Sequence, residues 1–259
     1  FHHSELYKTD LPALDLSDLN NTRDYISSIH PDIIINCAAY TNVDGCETNQ
    51  LDAFKVNAMG ARNLARACEL IGAKLVHVST DYVFSGDGEV AFETDSPKAP
   101  CNFYGESKLG GENAVTENCE KYFIVRISWA FGENGKNFVK TMLRLSETND
   151  LVRVVKDQVG SPTSTKELAG AVAHLIPTDN YGLFHGTCEG VCSWADFTEE
   201  IFRLKGLSTK VNRITSAEFN AKAPRPAYSV LENYMLKLTT DYKFAQWEDA
   251  IAEYIKELN

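Results

Sequence analysis

The stretch Ala73-Lys74-Leu75-Val76-His77-Val78-Ser79-Thr80-Asp81-Tyr82-Val83-Phe84 decides the fold. Its apolar first half reads as a buried strand that ends in small hydroxyl residues. Upstream, Pro31-Asp32-Ile33-Ile34-Ile35-Asn36-Cys37-Ala38-Ala39 is a β-branched run without alternation, which predicts a parallel strand covered by helices on both faces. Between the two, Phe54, Leu64, Ala65, Cys68 and Leu70 recur at helical spacing over 51–71, and Gly72 stops that helix. Downstream come a loop holding Ser85-Gly86-Asp87-Gly88, a helix beginning near Tyr104, and the strand Tyr122-Phe123-Ile124-Val125-Arg126-Ile127-Ser128. Alternating strands and helices define βαβ units, so the chain is expected to be α/β, with a Rossmann-type doubly wound parallel sheet.

After Trp129 the pattern loosens. A helix is expected over 137–145 and a short strand over 152–155. Ser164-Thr165-Lys166-Glu167 reads as a capping box opening another helix. A strand over 182–186, a helix N-capped by Ser193, and an amphipathic terminal helix carrying Trp247, Ile251, Tyr254, Ile255 and Leu258 follow. We expect residues 1–145 to form a dinucleotide-binding domain, and 146–259 mainly a smaller substrate lobe with some segments returning to the first domain.

A formal charge of −11 over 259 residues sets the chain against nucleic acid and anionic membrane surfaces. Cys37, Cys46, Cys68, Cys101, Cys119, Cys188 and Cys192 are scattered without a C-x-x-C pair, as expected of small hydrophobes in a reducing compartment. No long apolar run and no signal pattern is present, so the expected location is the cytoplasm.

Chemistry enters with Tyr104-Gly105-Glu106-Ser107-Lys108. Residues at i and i+4 share a helical face, so an ammonium can lie close to a phenol and lower its pKa. A phenol tuned in this way can protonate a carbonyl oxygen while a cofactor delivers hydride to the carbon. By itself the Tyr-x-x-x-Lys pair is a weak pattern. Its setting strengthens it, since polar groups just past the carboxyl end of a parallel strand are where open α/β sheets bind ligands.

Five ordered motifs together resemble the dTDP-4-dehydrorhamnose reductase family of extended short-chain dehydrogenases. They are 36–44 (NCAAYTNVD), 79–84 (STDYVF), 104–108 (YGESK), 126–129 (RISW) and 157–163 (DQVGSPT). The resemblance implies a cofactor, NADPH or NADH, and reduction of the 4-keto group of a dTDP-linked sugar, dTDP-4-dehydro-L-rhamnose, to dTDP-L-rhamnose. It implies Tyr104 as the acid, Lys108 as holder of the nicotinamide ribose, and Thr80 as hydrogen-bond partner of the reacting oxygen. It also implies Asp81 and Trp129 beside the substrate, Ala38, Ala39, Tyr40 and Thr41 against the cofactor, and Asp15 and Leu16 near the adenine. Arg225, in the proline-fixed loop Ala223-Pro224-Arg225-Pro226, is the candidate for the diphosphate, with a surface ion pair as its alternative role. Thr80 could also simply end its strand, Trp129 could anchor a core, and Asp15 could serve a turn. The family leaves a homodimer and a Mg2+ requirement open, and no residue here is assigned to a metal.

The family's opening strand, glycine-rich turn and helix, whose N–H groups hold the cofactor pyrophosphate, have no match in this sequence. Phe1-His2-His3-Ser4-Glu5-Leu6 aligns just after the second strand, as if roughly 30 residues of a longer reading frame preceded it. On that reading the first strand and helix are missing, and the 259-residue piece should bind cofactor weakly and turn over little. Two alternatives stand: a binding relative such as the regulatory subunit of methionine adenosyltransferase, or a reductase or epimerase of another nucleotide-linked keto sugar.

Overall fold

The structure, a computed structural model, describes residues 5–258, so the Phe1–Ser4 part of the opening alignment lies outside the described residues. Helix α1 (Leu19–Ile29) starts on Asp18, whose side chain accepts from the Asn20 and Asn21 N–H groups. Strand β1 (Ile33–Asn36) is followed by one long helical segment. This segment comprises α2 (Gln50–Phe54), a π-helical turn (Lys55–Gly60) and α3 (Ala61–Ile71), which ends on Gly72 at φ +73°. Strand β2 (Lys74–Thr80), helix α4 (Phe103–Asn118) and strand β3 (Tyr122–Ile127) come next. Helix α5 (Phe138–Ser146), strand β4 (Leu151–Val155), helix α6 (Thr165–Leu175), strand β5 (Gly182–His185), helix α7 (Trp194–Lys205), strand β6 (Lys210–Ile214) and helix α8 (Trp247–Glu257) complete the frame.

Strands β1, β2, β3 and β5 form a parallel sheet in that order. Successive side chains point to opposite faces, which sorts the sheet's residues. Leu75 and Ile124 pack with Ala61, Ala65 and Cys68 of α3 and Val115 of α4, while Val76, Phe123 and Val125 pack with Ala171, Val172 and Leu175 of α6. Helices therefore cover both faces, as the doubly wound expectation requires. The cover thins at β1, however: Ile33 and Ile34 are half-buried and Ile35 is 51% exposed. The edge of β1 away from β2 carries no strand among the described residues.

A second core lies beyond β3. Strands β4 and β6 pair in parallel, and Val152 and Val154 pack with Val139 of α5, Phe197 and Ile201 of α7, and Ile251 and Tyr254 of α8. Two local expectations change here. The helix over 51–71 is broken by its π turn, and the Ser164 capping box does not form. Glu167 is drawn away instead, accepting from the Tyr242 hydroxyl at 3.0 Å and the Ala245 N–H at 2.9 Å. Complete capping boxes stand at Ser193, which exchanges hydrogen bonds with Asp196, and at Thr215, which exchanges them with Glu218.

Candidate active site

The carboxyl ends of β1, β2 and β3 and the start of α4 meet in one place. Asn102 caps α4 by accepting from the Gly105 N–H at 2.9 Å, and its amide donates to the Pro224 carbonyl at 2.8 Å. Gly105 lets the helix start approach the segment after β2, since a Cβ there would collide with the Tyr82 carbonyl. Tyr104 in this first turn meets Tyr82 edge to face, with ring centroids 5.6 Å apart at 79°.

Thr80 closes β2 and is buried. Its hydroxyl donates to Asp81 Oδ1 at 2.8 Å, accepts from the Tyr82 N–H at 3.2 Å, and hydrogen-bonds the Tyr104 side chain. Burial pushes the Asp81 carboxyl up to about 7, against hydrogen bonds from Thr80 and Ser229 that pull it down. Among the described residues Asp81 Oδ2 has no hydrogen-bond partner. Burial, and after it the Asp81 charge, pushes the Tyr104 phenol up.

Lys108 follows one helical turn later, 2% exposed, and its ammonium donates to the Val78 carbonyl at 2.7 Å. Burial lowers it to about 8, with Glu112 opposing. Here the structure corrects an expectation: the Lys108 ammonium is committed to Val78, and the phenol is held protonated by burial instead of being tuned down. A proton donor at neutral pH needs its proton in place, and this site keeps it there.

Ala38, Ala39, Tyr40 and Thr41 lie just past β1, in a loop fixed from beneath by Asn57 of the π turn. The Asn57 carboxamide accepts from the Tyr40 N–H at 2.7 Å, and donates to the Tyr40 carbonyl at 3.2 Å and to Ser107 Oγ at 2.9 Å. Ser107 in turn donates to the Tyr104 carbonyl at 2.8 Å. Leu16 packs over Gly60, and its carbonyl accepts from Asn63 at 2.8 Å, so Leu16 and Tyr40 rest on adjacent turns of one helical segment. Asp15 is exposed and serves a turn, accepting from the Ser17 N–H at 2.9 Å and the Ser17 hydroxyl at 2.7 Å.

Trp129 sits in the left-handed region at φ +48°, an uncommon place for an aromatic residue, and its indole stacks on Trp194 at 3.7 Å. It flanks Gly160, which Ser229 also touches, and Ser229 reaches Asp81. Arg225 pairs with Asp44 at 3.1 Å and donates to the Ala223 carbonyl, while its charge acts on Tyr82. The ion-pair role is thus filled at the rim of the site. Tyr82 and Ser107 lie inside the quoted motifs without a role there, and Asn57, Asn102, Ser229 and Trp194 lie outside them. Of the latter, Asn57 shows in the sequence as a polar residue inside an otherwise apolar helical face. Among the described residues, no three His, Cys, Asp or Glu side chains gather to hold a metal.

A parallel sheet with helices on both faces, carrying a tyrosine and lysine one turn apart beside its strand ends, defines a Rossmann-type oxidoreductase of the short-chain dehydrogenase class. The chain belongs to the family described as the RmlD substrate binding domain, whose model matches residues 2–259. It is similar to the spore coat polysaccharide biosynthesis protein SpsK of Bacillus subtilis, 40% identical over 244 residues that cover 94% of this chain and 86% of the relative. The crystal structure of a dTDP-4-dehydrorhamnose reductase from Clostridium acetobutylicum superposes with TM-score 0.95 at 46% identity, covering 96% of this chain and 89% of that one. The corresponding Bacillus anthracis enzyme, solved in complex with NADP, gives TM-score 0.97 at 41% identity, with 99% and 91% covered.

Proposed function

We propose that this chain reduces the 4-keto group of dTDP-4-dehydro-L-rhamnose to dTDP-L-rhamnose with NADPH, a step in making surface polysaccharide. The observation that carries the reading is the convergence of Tyr104, Thr80 and Asp81 at the end of β2, with Lys108 buried one turn behind. The residues present suit such a cofactor. Lys108 is a buried ammonium whose one hydrogen bond among the described residues leaves two protons free for ribose hydroxyls, and the loop over 38–41 beside it is open to solvent on part of its length. In this reading Lys108, Tyr104 and the Ala38, Ala39, Tyr40 and Thr41 backbone hold the nicotinamide end, with Leu16 and Asp15 toward the adenine. Bound there, NADPH supplies the hydride.

The chain's own part is the proton and the orientation. Tyr104 gives its phenolic proton to the 4-oxygen, and the Thr80 hydroxyl turns its one proton from Asp81 Oδ1 to that oxygen. Asp81, with Oδ2 unpaired, takes a sugar hydroxyl, and the Trp129 face packs against the sugar ring. Arg225 exchanges part of its contact with Asp44 for the diphosphate. We take residues 1–145 as the cofactor-binding part and 146–259 mainly as the sugar-nucleotide lobe, with α6 and β5 returning to the sheet. Named reductases among the relatives, together with the intact proton-transfer set, favour this over a purely binding relative.

The test is NADPH absorbance with protein made from its whole reading frame and enzymatically generated keto sugar. Oxidation that disappears in Tyr104→Phe supports both the reaction and the acid. Cofactor binding without oxidation moves the assignment to another keto sugar.

A further inference from the structure

Behind the reacting end of α4 lies a buried polar cluster that proton transfer does not use. Tyr104, Lys108 and Glu112 recur every four residues, so they line one face of the helix. Glu112 Oε1 accepts from Arg126 Nε at 2.8 Å and from Ser79 Oγ at 2.6 Å, and Oε2 accepts from Arg126 Nη2 at 2.7 Å. The remaining guanidinium nitrogen donates to the Thr94 carbonyl at 2.9 Å and meets His185 Nε2 at 3.3 Å. Arg126 is 0% exposed and Glu112 3%. A guanidinium fork on both carboxylate oxygens, with a serine on one of them, leaves Glu112 a single arrangement. Through it α4 is tied to β2 at Ser79, to β3 at Arg126 and to β5 at His185.

The titratable groups acting on Lys108 or adjoining it are Cys37 past β1, His77 on β2, and Tyr104 and Glu112 on α4, with Arg126 of β3 behind Glu112. Burial raises the Cys37 thiol and the Tyr104 phenol and lowers the His77 ring, so all three are neutral near pH 7. Glu112 is then the group whose charge supports an ammonium at Lys108. It is held in place by the Arg126 guanidinium, which forks onto both of its oxygens.

We propose that the Glu112–Arg126 pair is a positioning device for the catalytic helix, setting both the direction and the charge of the Lys108 ammonium. It does this without touching substrate, cofactor or the reacting atoms, and only its kinetic arm rests on the reductase reading. The main measurement needs neither substrate nor cofactor: lysine labelled with 13C at Cε is titrated by NMR in the whole protein, with the Lys108 resonance assigned from Lys108→Met.

In Glu112→Gln the Lys108 midpoint should fall by about one pH unit, a tenfold loss of proton affinity. In Glu112→Gln/Arg126→Met it should fall by less, because the Arg126 repulsion goes with the pair. The alkaline limb of NADPH oxidation should move by the same amounts. Where the single variant fails to fold, the double, which leaves no charge unpaired, carries the test. A midpoint unchanged in either folded variant overturns the proposal, as does failure of both to fold, which would mark the pair as structural only. Absence of turnover in the unaltered protein overturns the reductase reading and leaves the NMR result standing.

Discussion

The two halves of the polar face of α4 are built to opposite rules. At its start, among the described residues, Asp81 Oδ2 has no hydrogen-bond partner, Lys108 makes one hydrogen bond, and the Tyr104 phenol meets Thr80. Two turns on, both oxygens of Glu112 and every nitrogen of Arg126 are engaged. Burying a polar atom without a partner costs free energy, so natural proteins leave few of them. At the reacting end the buried Asp81 Oδ2 is left without a partner among the described residues, while the Glu112–Arg126 pair behind it is fully partnered and stands as a fixed support.

If that contrast is right, the largest effects at the start of α4 belong to rate, and the largest effects further along belong to stability. Tyr104→Phe should lower turnover by about 10²- to 10⁴-fold, the usual contribution of a positioned acid, with the melting temperature nearly unchanged. An equal loss of rate and stability would erase the distinction. Arg126→Met should do the reverse by leaving the Glu112 carboxylate buried without its cation, with the Ser79 hydroxyl as its remaining partner. About 3–5 kcal/mol of stability should be lost in urea unfolding, and most of it should return in Glu112→Gln/Arg126→Met.

Asp81 sharpens the contrast through pH. Its folded carboxyl is raised to about 7, above the ordinary carboxylate range in which the unfolded chain titrates. Stability held by the protonated form is complete below that range and is lost as pH rises through about 7, because the folded chain must then carry a buried carboxylate. Asp81→Asn carries no such charge. It should therefore melt higher than the unaltered protein above neutrality, by up to a few kcal/mol, with the advantage vanishing near pH 4. A pH-independent difference would show that Asp81 is not the group held under strain.

What the sequence discloses about this face is uneven for a physical reason. Strand runs such as Ile33-Ile34-Ile35 and the helical spacing of Leu64, Ala65 and Cys68 are local patterns, and the structure places elements on both. Tyr104 and Lys108 are legible because one helix sets their spacing. The Glu112–Arg126 pair is not, since it joins a helix to a strand through tertiary register. The same holds for Ser229 at Asp81 and for Glu167, which leaves its capping box for Tyr242. The π turn escapes for another reason: Lys55–Gly60 keeps an ordinary helical composition, and it is the burial of Asn57 against Tyr40 and Ser107 that gives the turn its use.

The smallest expected effect joins the two halves of the comparison. Asn102 holds the first turn of α4 through Gly105 and, with its other polar atom, the Pro224 carbonyl beside Arg225. Asn102→Ala removes one cap and one loop contact, and should cost about 1 kcal/mol of stability. Its kinetic signature should be selective. The KM for the sugar nucleotide should rise several-fold, because the loop carrying Arg225 is released, while the cofactor's Kd should hold, because the Ala38–Thr41 loop rests on Asn57 and not on Asn102. Asn102→Asp keeps the oxygen that caps Gly105 and loses the amide that reaches Pro224. It should recover the stability without recovering the KM, which separates the cap from the latch.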